Sequence, residues 1–242
     1  TRDMIRAYHP LREALGIRKI FLGIGGSMGG QQLLEWAIEE PSLFQHIIPI
    51  ATNAYHSAWG IAFNASQRMA IEADASWNTK TDEAGLDGLK VARSIALLSY
   101  RHYDAYGVSQ IEEGNELLKD FKSESYQRYQ GDKLARRFNA FSYYFLSRAM
   151  DAHNVGRGRV SIEAALKQIT ARTLVIGISN DILFPIDEQE FLADTITDAS
   201  FKSIESFYGH DGFLLEYDKI TKAIQHFLQQ YSEKEVKQQL IK

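Results

Sequence analysis

Short, uninterrupted apolar runs alternate with longer amphipathic segments toward both ends of this chain. The apolar runs predict buried strands of a parallel sheet at 19–24, 44–52 and 173–178, and a further short strand is predicted near 201–207. Apolar residues at helical spacing predict amphipathic helices around these strands, at 1–15, 28–39, 187–195 and 217–231. Because strands that alternate with helices form right-handed βαβ units, the pattern indicates an α/β fold with a mostly parallel sheet.

The middle of the chain follows a different pattern, because residues 59–166 contain helical spacings and no convincing strand. Glycine-containing loops separate the helical segments. Since strands resume after this stretch, we interpret it as a helical lid inserted into the sheet domain, with a separate helical domain as the alternative. The predicted domains are a core formed by 1–58 and 167–242, and a lid formed by 59–166.

Composition argues against several classes of function. The 242 residues are 45% hydrophobic and 24% charged, as in globular proteins, and the net charge of −4 disfavours a nucleic-acid or anionic-membrane surface. Without cysteine the chain has no disulfide, thiolate metal site or cysteine nucleophile, which is compatible with the cytoplasmic location that we expect. No apolar run is long enough to span a membrane, and no signal peptide opens the chain.

The segment 25–30, Gly-Gly-Ser-Met-Gly-Gly, lies between a predicted strand and a predicted helix. This is the context of a G-x-S-x-G nucleophile elbow, in which a strained turn exposes a serine hydroxyl. Ser27 is therefore the predicted nucleophile, and the backbone N–H of Met28 at the helix N-terminus is the predicted oxyanion donor. We expect that side chains in place of Gly25 and Gly29 would block the close approach of strand and helix.

Other glycine motifs fit this segment less well. A dinucleotide-binding fingerprint read from Gly23 requires glycine at the position of Met28, and a P-loop requires a Gly-Lys-Ser/Thr sequence that does not follow. An ordinary glycine-rich loop between strand and helix remains the alternative when the segment is considered alone.

A serine nucleophile needs a base and an acid that orients the base, in the chain order serine, acid, histidine for this elbow. Asp181 follows the predicted strand 173–178, and His210 follows the predicted strand 201–207. Parallel strands place their carboxyl ends at one edge of the sheet. We therefore predict that Ser27, Asp181 and His210 meet at this edge as a catalytic triad.

Other candidates for this chemistry are weaker. Asp187 is the competing acid, but it is better placed as the N-cap of the next helix. No metal site is predicted, because the chain has no cysteine and no His-Glu-x-x-His motif.

Beyond the elbow, the chain resembles the homoserine O-acetyltransferase family of the α/β-hydrolase superfamily. The resemblance extends almost from end to end, through the segments 25–30, 35–37, 50–52, 56–59, 61–64, 98–101, 129–133, 137–140, 148–151 and 209–214. Members of that family carry further residues, with early strands, before the position where this chain starts. We therefore expect that the N-terminal strands are absent from this chain, and that the chain alone is not a competent enzyme.

The resemblance implies an acyltransferase that works by a ping-pong mechanism. Ser27 would accept an acetyl group from acetyl-CoA and pass it to the hydroxyl of L-homoserine, a reaction of methionine biosynthesis that needs no cofactor beyond this co-substrate. Residue matching assigns the homoserine carboxylate to Arg93, with Tyr100 further along the same helix, and the ammonium to Asp211. Arg101 is the alternative cation for the carboxylate. The family also implies a homodimer formed through the lid.

Three parts of the sequence depart from the family pattern and leave the substrates open. Gln31 stands where the family usually has methionine, residues 53–55, Asn-Ala-Tyr, replace Ser-Ala-Arg beside the site, and Asn180 precedes the acid. The alternatives are a serine esterase on the same scaffold, a succinyl-CoA-dependent or serine-accepting transferase, and a non-catalytic binding protein.

Overall fold

The computed structural model describes residues 1–79, 81–114 and 116–240, so the predicted end of the core at 241–242 lies outside the described residues. Four parallel strands form one sheet in chain order, namely β1 (Ile20–Gly26), β2 (Phe44–Ile50), β3 (Arg172–Ile178) and β4 (Ala199–Ile204). Gly26 lies opposite Ile50 and Ile178 opposite Ile204, so the strands end together at one edge of the sheet. The predicted fold class, a parallel sheet flanked by helices, is confirmed.

Helices occupy both the connections between the strands and the long stretch between β2 and β3. In chain order they are α1 (Arg2–Arg6), α2 (Tyr8–Ala14), α3 (Met28–Glu39), α4 (Ala58–Glu72), α5 (Leu86–Tyr100), α6 (Tyr103–Ser109), α7 (Lys122–Ala135), α8 (Ala140–Asp151), α9 (Ile162–Leu166), α10 (Ile186–Thr195), α11 (Gly212–Leu215) and α12 (Tyr217–Leu240). The helix predicted at 1–15 is divided into α1 and α2, because Pro10 lacks the N–H of a continuous helix and its ring crowds the preceding turn. The last helix continues beyond its predicted end at 231.

The two central strands, β2 and β3, are buried on both faces, whereas most residues of β1 and β4 are partly or fully exposed. Successive residues of a strand point to opposite sides of the sheet. On one face, Ile47 and Val175 pack with side chains of α3 and α10. On the other face, Ile48 and Ile176 pack with side chains of α12. β3 is the most completely buried strand, whereas Phe21 of β1 is exposed at one edge of the described sheet. The continuous apolar runs of the sequence therefore correspond to strands covered by helices on two sides.

The stretch between β2 and β3 carries α4 to α9 and a hydrophobic cluster of its own, which includes Ile71 and Leu89. Close packing of α4 on α5 depends on Gly88, because a Cβ atom there would lie 2.5 Å from the carbonyl oxygen of Ala70. The division into a core and a lid at 59–166 stays a prediction. None of the described helices is long and apolar enough to cross a membrane.

Candidate active site

Ser27 occupies a sharp turn between the last residue of β1 and the first residue of α3. Its backbone has φ 54° and ψ −124°, a strained conformation for a residue with a side chain. Two hydrogen bonds hold it there, from Ser27 N to the carbonyl oxygen of Ile50 at 2.9 Å and from Thr52 Oγ1 to the carbonyl oxygen of Ser27 at 2.8 Å. The turn is therefore the strained elbow that the glycine-rich segment predicts.

The glycines of this turn have unequal roles. A Cβ atom at Gly25 would lie 2.4 Å from the carbonyl oxygen of Gly29, and one at Gly30 would lie 2.6 Å from the Thr52 side chain. At Gly29 a Cβ atom would meet no described atom within 4 Å, so the prediction that a side chain there blocks the approach is wrong. The close contact is between Gly25 and the backbone of α3 at Gly29. A side chain on Gly29 itself would point away from this contact.

Ser27, His210 and Asp181 lie in one chain of hydrogen bonds, although they are far apart in sequence. Ser27 Oγ is 3.0 Å from His210 Nε2, and His210 Nδ1 is 2.6 Å from Asp181 Oδ2. Each residue follows the carboxyl end of a strand, β1 for the serine, β3 for the aspartate and β4 for the histidine. The structure thus brings together the three residues that the sequence predicts as a triad.

The Asp181 carboxylate is fixed by its own loop. Its Oδ1 accepts hydrogen bonds from the backbone N–H groups of Leu183 and Phe184, at 2.8 and 2.9 Å. Both Asp181 and His210 are almost fully buried. Asp187 does not compete for this place, and it is not the predicted N-cap either, because α10 is capped by Pro185 and Asp187 lies in its first turn. A carboxylate in that turn still interacts favourably with the helix dipole.

A small cavity of about 180 Å³ adjoins the elbow, and Met28 forms part of its wall. Met28 is the first residue of α3, where helix N–H groups lack intrahelical partners. The opposite wall comes from the helices between β2 and β3, through Gln67, Tyr100 and Tyr143. Met28, whose backbone N–H is the predicted oxyanion donor, therefore lines a cavity next to the elbow, and its role as a donor stays a prediction.

Arg93 and Tyr100 lie on the same face of α5. The Arg93 guanidinium carbon is 5.5 Å from the centre of the Tyr100 ring, and that ring is 5.7 Å from the His210 ring. Burial raises the pKa of Tyr100, and the nearby Arg93 charge opposes this increase. Within the described part of the chain, Arg93 has no carboxylate partner within ion-pair distance. A cation without a counter-ion close to His210 is what an anionic substrate group requires.

Asp211, the residue after His210, pairs with Arg101 rather than with Arg93. Arg101 Nε lies 3.3 Å from Asp211 Oδ2. Burial raises the pKa of Asp211, and the charge of Arg101 is the strongest influence in the opposite direction. The two arginines that the sequence offers for a substrate carboxylate therefore differ in their ion pairs. Arg101 already pairs with Asp211, whereas Arg93 has no carboxylate partner among the described residues.

Three polar contacts near the site escape prediction from sequence. Gln31 Nε2 donates to Asn53 Oδ1 at 3.0 Å, and Asn53 Nδ2 donates to Glu188 Oε2 at 2.8 Å. Tyr143 also donates to Gln67 Oε1, at 2.6 Å. Positions 31 and 53 already stand out as departures from the family pattern. That the two departures bond to each other depends on three-dimensional placement, which no local pattern contains.

Known proteins resemble this chain over nearly all of its length. Residues 1–217 match the alpha/beta hydrolase fold family. A homoserine O-acetyltransferase of Cyclobacterium marinum is 46% identical over 227 residues, which are 94% of this chain and 64% of that protein. The crystal structure of homoserine O-acetyltransferase from Bacillus anthracis has a TM-score of 0.87 at 21% identity, covering 94% of this chain and 64% of that one. The acetyl esterase MekB has a TM-score of 0.75 at 25% identity, covering 93% and 66%.

These similarities confirm the resemblance that the sequence predicts. The chain spans 64% of the length of the Cyclobacterium relative. The family match covers the elbow and both partners of Ser27, and the parallel sheet with its strand–serine–helix turn agrees with it. The chain belongs to the α/β-hydrolase fold family.

Proposed function

We propose that the protein is an acyltransferase that moves an acetyl group from acetyl-CoA to the hydroxyl of L-homoserine, through an acetyl-Ser27 intermediate. The observation that carries this proposal is the Ser27–His210–Asp181 chain of hydrogen bonds at the edge of the sheet. The 46% identity to a protein named homoserine O-acetyltransferase supports the choice of substrates. The reaction would belong to methionine biosynthesis in the cytoplasm, with acetyl-CoA as co-substrate and no further cofactor.

In the first half-reaction, Ser27 becomes acetylated. His210 Nε2, 3.0 Å from Ser27 Oγ, takes the serine proton while Oγ attacks the thioester carbonyl carbon. The negative charge that develops on the carbonyl oxygen is stabilised by the Met28 N–H at the start of α3. Collapse of the tetrahedral intermediate breaks the carbon–sulfur bond, and the CoA thiolate leaves with the proton held by His210. Asp181 keeps the imidazole oriented and stabilises its charged form.

The second half-reaction reverses these roles. His210 removes the proton from the homoserine hydroxyl, whose oxygen attacks the acetyl carbon of Ser27. The carbon–Oγ bond then breaks, and Ser27 regains its proton from His210. The products are O-acetylhomoserine and the free enzyme, so the cycle is a double displacement.

The acceptor is proposed to bind between α5 and the loop that carries His210. Arg93, which lacks a carboxylate partner among the described residues, would bind the homoserine carboxylate, and Asp211 would bind the ammonium. Tyr100, whose ring contacts that of His210, would form the wall between the two charges. A cation and an anion on two sides of the acceptor would favour a zwitterion over a plain alcohol.

A panel of donors and acceptors tests the proposal on the full-length protein, because the chain alone is not expected to be a competent enzyme. Acetyl-CoA and succinyl-CoA are each combined with homoserine, serine and water, and release of free thiol is measured. We expect fast release only with acetyl-CoA and homoserine together. If no thioester is cleaved with any hydroxy amino acid, the transferase function is wrong, whereas succinyl-CoA or serine as the preferred substrate would correct only the specificity.

A serine esterase is the second candidate, supported by the likeness to the acetyl esterase MekB. The two functions share the acylation step and differ in what discharges acetyl-Ser27. In an esterase, water accepts the acetyl group, so discharge in buffer alone would equal discharge with homoserine. A transferase must keep water away from the acyl-enzyme, which the helices over the elbow would do.

A homodimer formed through the predicted lid is also proposed, as the family resemblance implies. Large apolar side chains are exposed on two of its helices, with Leu98 on α5 and Phe145 on α8. Exposed apolar side chains favour contact with another protein surface when they are adjacent. Light scattering should give twice the mass of one chain, and replacement of Phe145 by Asp should lower it.

A further inference from the structure

Arg101 connects the helical stretch to the loop that carries His210. It caps the C-terminus of α5, and its Nε lies 3.3 Å from Oδ2 of Asp211, the residue after the histidine. The backbones also meet here, since a Cβ atom at Gly209 would lie 2.8 Å from the backbone nitrogen of His102. The position of Asp211 therefore depends on a contact from the other side of the site.

Arg101 is also held independently of Asp211. Its guanidinium carbon lies 5.2 Å from the centre of the Tyr126 ring on α7. This cation–π contact holds the side chain in addition to the contact with Asp211. The Arg101 Nε atom is buried, yet it has no well-aligned hydrogen bond within the described part of the chain. The Arg101–Asp211 contact is thus a charge pairing of loose geometry between a rigid cation and a loop carboxylate.

Both side chains of this pair are largely buried, with exposed fractions of 30% and 19%. Loss of Arg101 would therefore leave the Asp211 carboxylate largely buried and without its charge partner. The shortest contact runs from Arg101 Nε to Oδ2 of Asp211, and among the described residues no hydrogen bond to Oδ1 is present. Oδ1 keeps its lone pairs for another donor.

We propose that Arg101 is a positioning residue for the acceptor, which holds Oδ2 of Asp211 so that an ionised carboxylate presents Oδ1 to the ammonium group of a hydroxy amino acid. The inference rests on the proposed function, because it assigns the ammonium to Asp211. It adds a second arginine to the acceptor site with a role different from that of Arg93.

The charges around Asp211 determine what loss of Arg101 would do. Arg101 and Arg93 on the α5 side and His210 on its own loop favour the ionised carboxylate, while the buried phenols of Tyr100 and Tyr106 are neutral neighbours. Burial raises the pKa of Asp211 and Arg101 opposes that increase. Without Arg101 the pKa rises further, so the carboxylate takes up its proton at a higher pH and loses the ammonium there.

The test compares Arg101→Gln and Arg101→Lys with the unchanged protein, in both half-reactions and across pH. With Arg101→Gln, kcat/KM for homoserine should fall about tenfold to a hundredfold, mainly through KM, as expected for a weakened charge-assisted contact. The acid limb of the pH profile of kcat/KM for homoserine should move to higher pH relative to the acid limb of Ser27 acylation, a step that takes place without the acceptor. Arg101→Lys should restore part of both effects, and 4-hydroxybutyrate, which has no ammonium, should be used equally by all variants.

Arg128→Gln is the matched control, because this exposed arginine of α7 has its ion pair, among the described residues, with Glu124 on its own helix. It should leave both half-reactions unchanged. Equal loss of acylation and transfer in Arg101→Gln, or an acid limb that does not move, would overturn the role of Arg101 and leave the proposed function standing. Absence of transfer to every hydroxy amino acid in the unchanged protein would overturn the proposed function and this inference together.

Discussion

The two halves of the candidate site differ in burial and in the length of their polar contacts. The catalytic chain, defined as Ser27, His210 and Asp181, is buried and joined by contacts of 2.6 and 3.0 Å. The acceptor group, defined as Arg93, Tyr100, Arg101 and Asp211, is partly exposed, and its one ion pair is 3.3 Å long. Its Arg93 has no carboxylate partner among the described residues.

The difference indicates where a ligand is needed to complete the structure. In the catalytic chain the hydrogen bonds that support the chemistry already exist, which is the preorganisation that acyl transfer uses. In the acceptor group, Arg93 has no carboxylate partner among the described residues and Asp211 has a single ion pair. Both charges can therefore bind the opposite charges of a zwitterion. Substitutions should therefore impair both half-reactions in the first region and only the second half-reaction in the other.

Replacement of Ser27 by Ala should have the largest effect. Loss of the nucleophile should lower acylation by acetyl-CoA by about 10⁴-fold to 10⁶-fold, because the rest of the site cannot form the acyl-enzyme. Alanine keeps the backbone conformation as strained as serine does, so the melting temperature should stay the same. Thiol release and thermal unfolding measure the two quantities, and residual thiol release at the unchanged rate would remove Ser27 from the mechanism.

Asp181→Asn should rank next, with a loss of about 10⁴-fold in both half-reactions, because an amide no longer fixes the tautomer or stabilises the charge of His210. Asp211→Asn is its matched control, since it changes the same chemical group one residue beyond the histidine. We expect this second variant to lose only acceptor use. Stopped-flow acylation and steady-state transfer separate the cases, and equal acylation losses in both would erase the distinction between the two regions.

Arg93→Ala should raise KM for homoserine by on the order of 10²-fold, because the acceptor loses its charge-assisted hydrogen bonds. The rate at which acetyl-CoA acylates Ser27 should stay within about twofold, since that step does not involve the acceptor. Single-turnover acylation followed by steady-state kinetics provides both values. The assigned role is contradicted by an equal loss in the two measurements.

Gly25→Ala should have the smallest effect of this series, on stability. A Cβ atom 2.4 Å from the carbonyl oxygen of Gly29 must displace the helix backbone, and overpacking of this kind costs about 1–3 kcal/mol. Gly29→Ala should be neutral or stabilising by up to about 1 kcal/mol, because the site is open and alanine favours a helix. Urea unfolding of both variants measures the difference, and a reversed order would contradict the geometry of the elbow.

The sequence predicts the catalytic region better than the acceptor region for a physical reason. Ser27, Asp181 and His210 each follow a predicted strand, and the rule that parallel strands end at one edge brings them together without further information. The strands themselves are recognisable because β2 and β3 are covered on two sides and read as continuous apolar runs. For these three residues, the local sequence pattern therefore also determines the position in the fold.

The acceptor region depends on contacts across the fold that no local pattern encodes. Arg93 follows from the family resemblance, and Arg101 is the alternative cation because it lies close by in the sequence. Only the packing of α5 against the His210 loop shows that Arg101 is the one that pairs with Asp211. The hydrogen bond between Gln31 and Asn53 is a further example, because it joins a residue of α3 to a residue of the loop after β2 in the interior. The steric role expected for Gly29 was wrong for the same reason, since the direction of a Cβ atom depends on the turn as folded.

Acetylation of Ser27 and its discharge test the central claim most directly. The protein is mixed with acetyl-CoA, quenched and digested, and the peptide that contains Ser27 is examined by mass spectrometry before and after addition of homoserine. The account predicts an acetyl group on Ser27 that homoserine removes rapidly and water only slowly. An unmodified Ser27 peptide under conditions in which acetyl-CoA is consumed, or an acetyl group that homoserine does not remove, would contradict it.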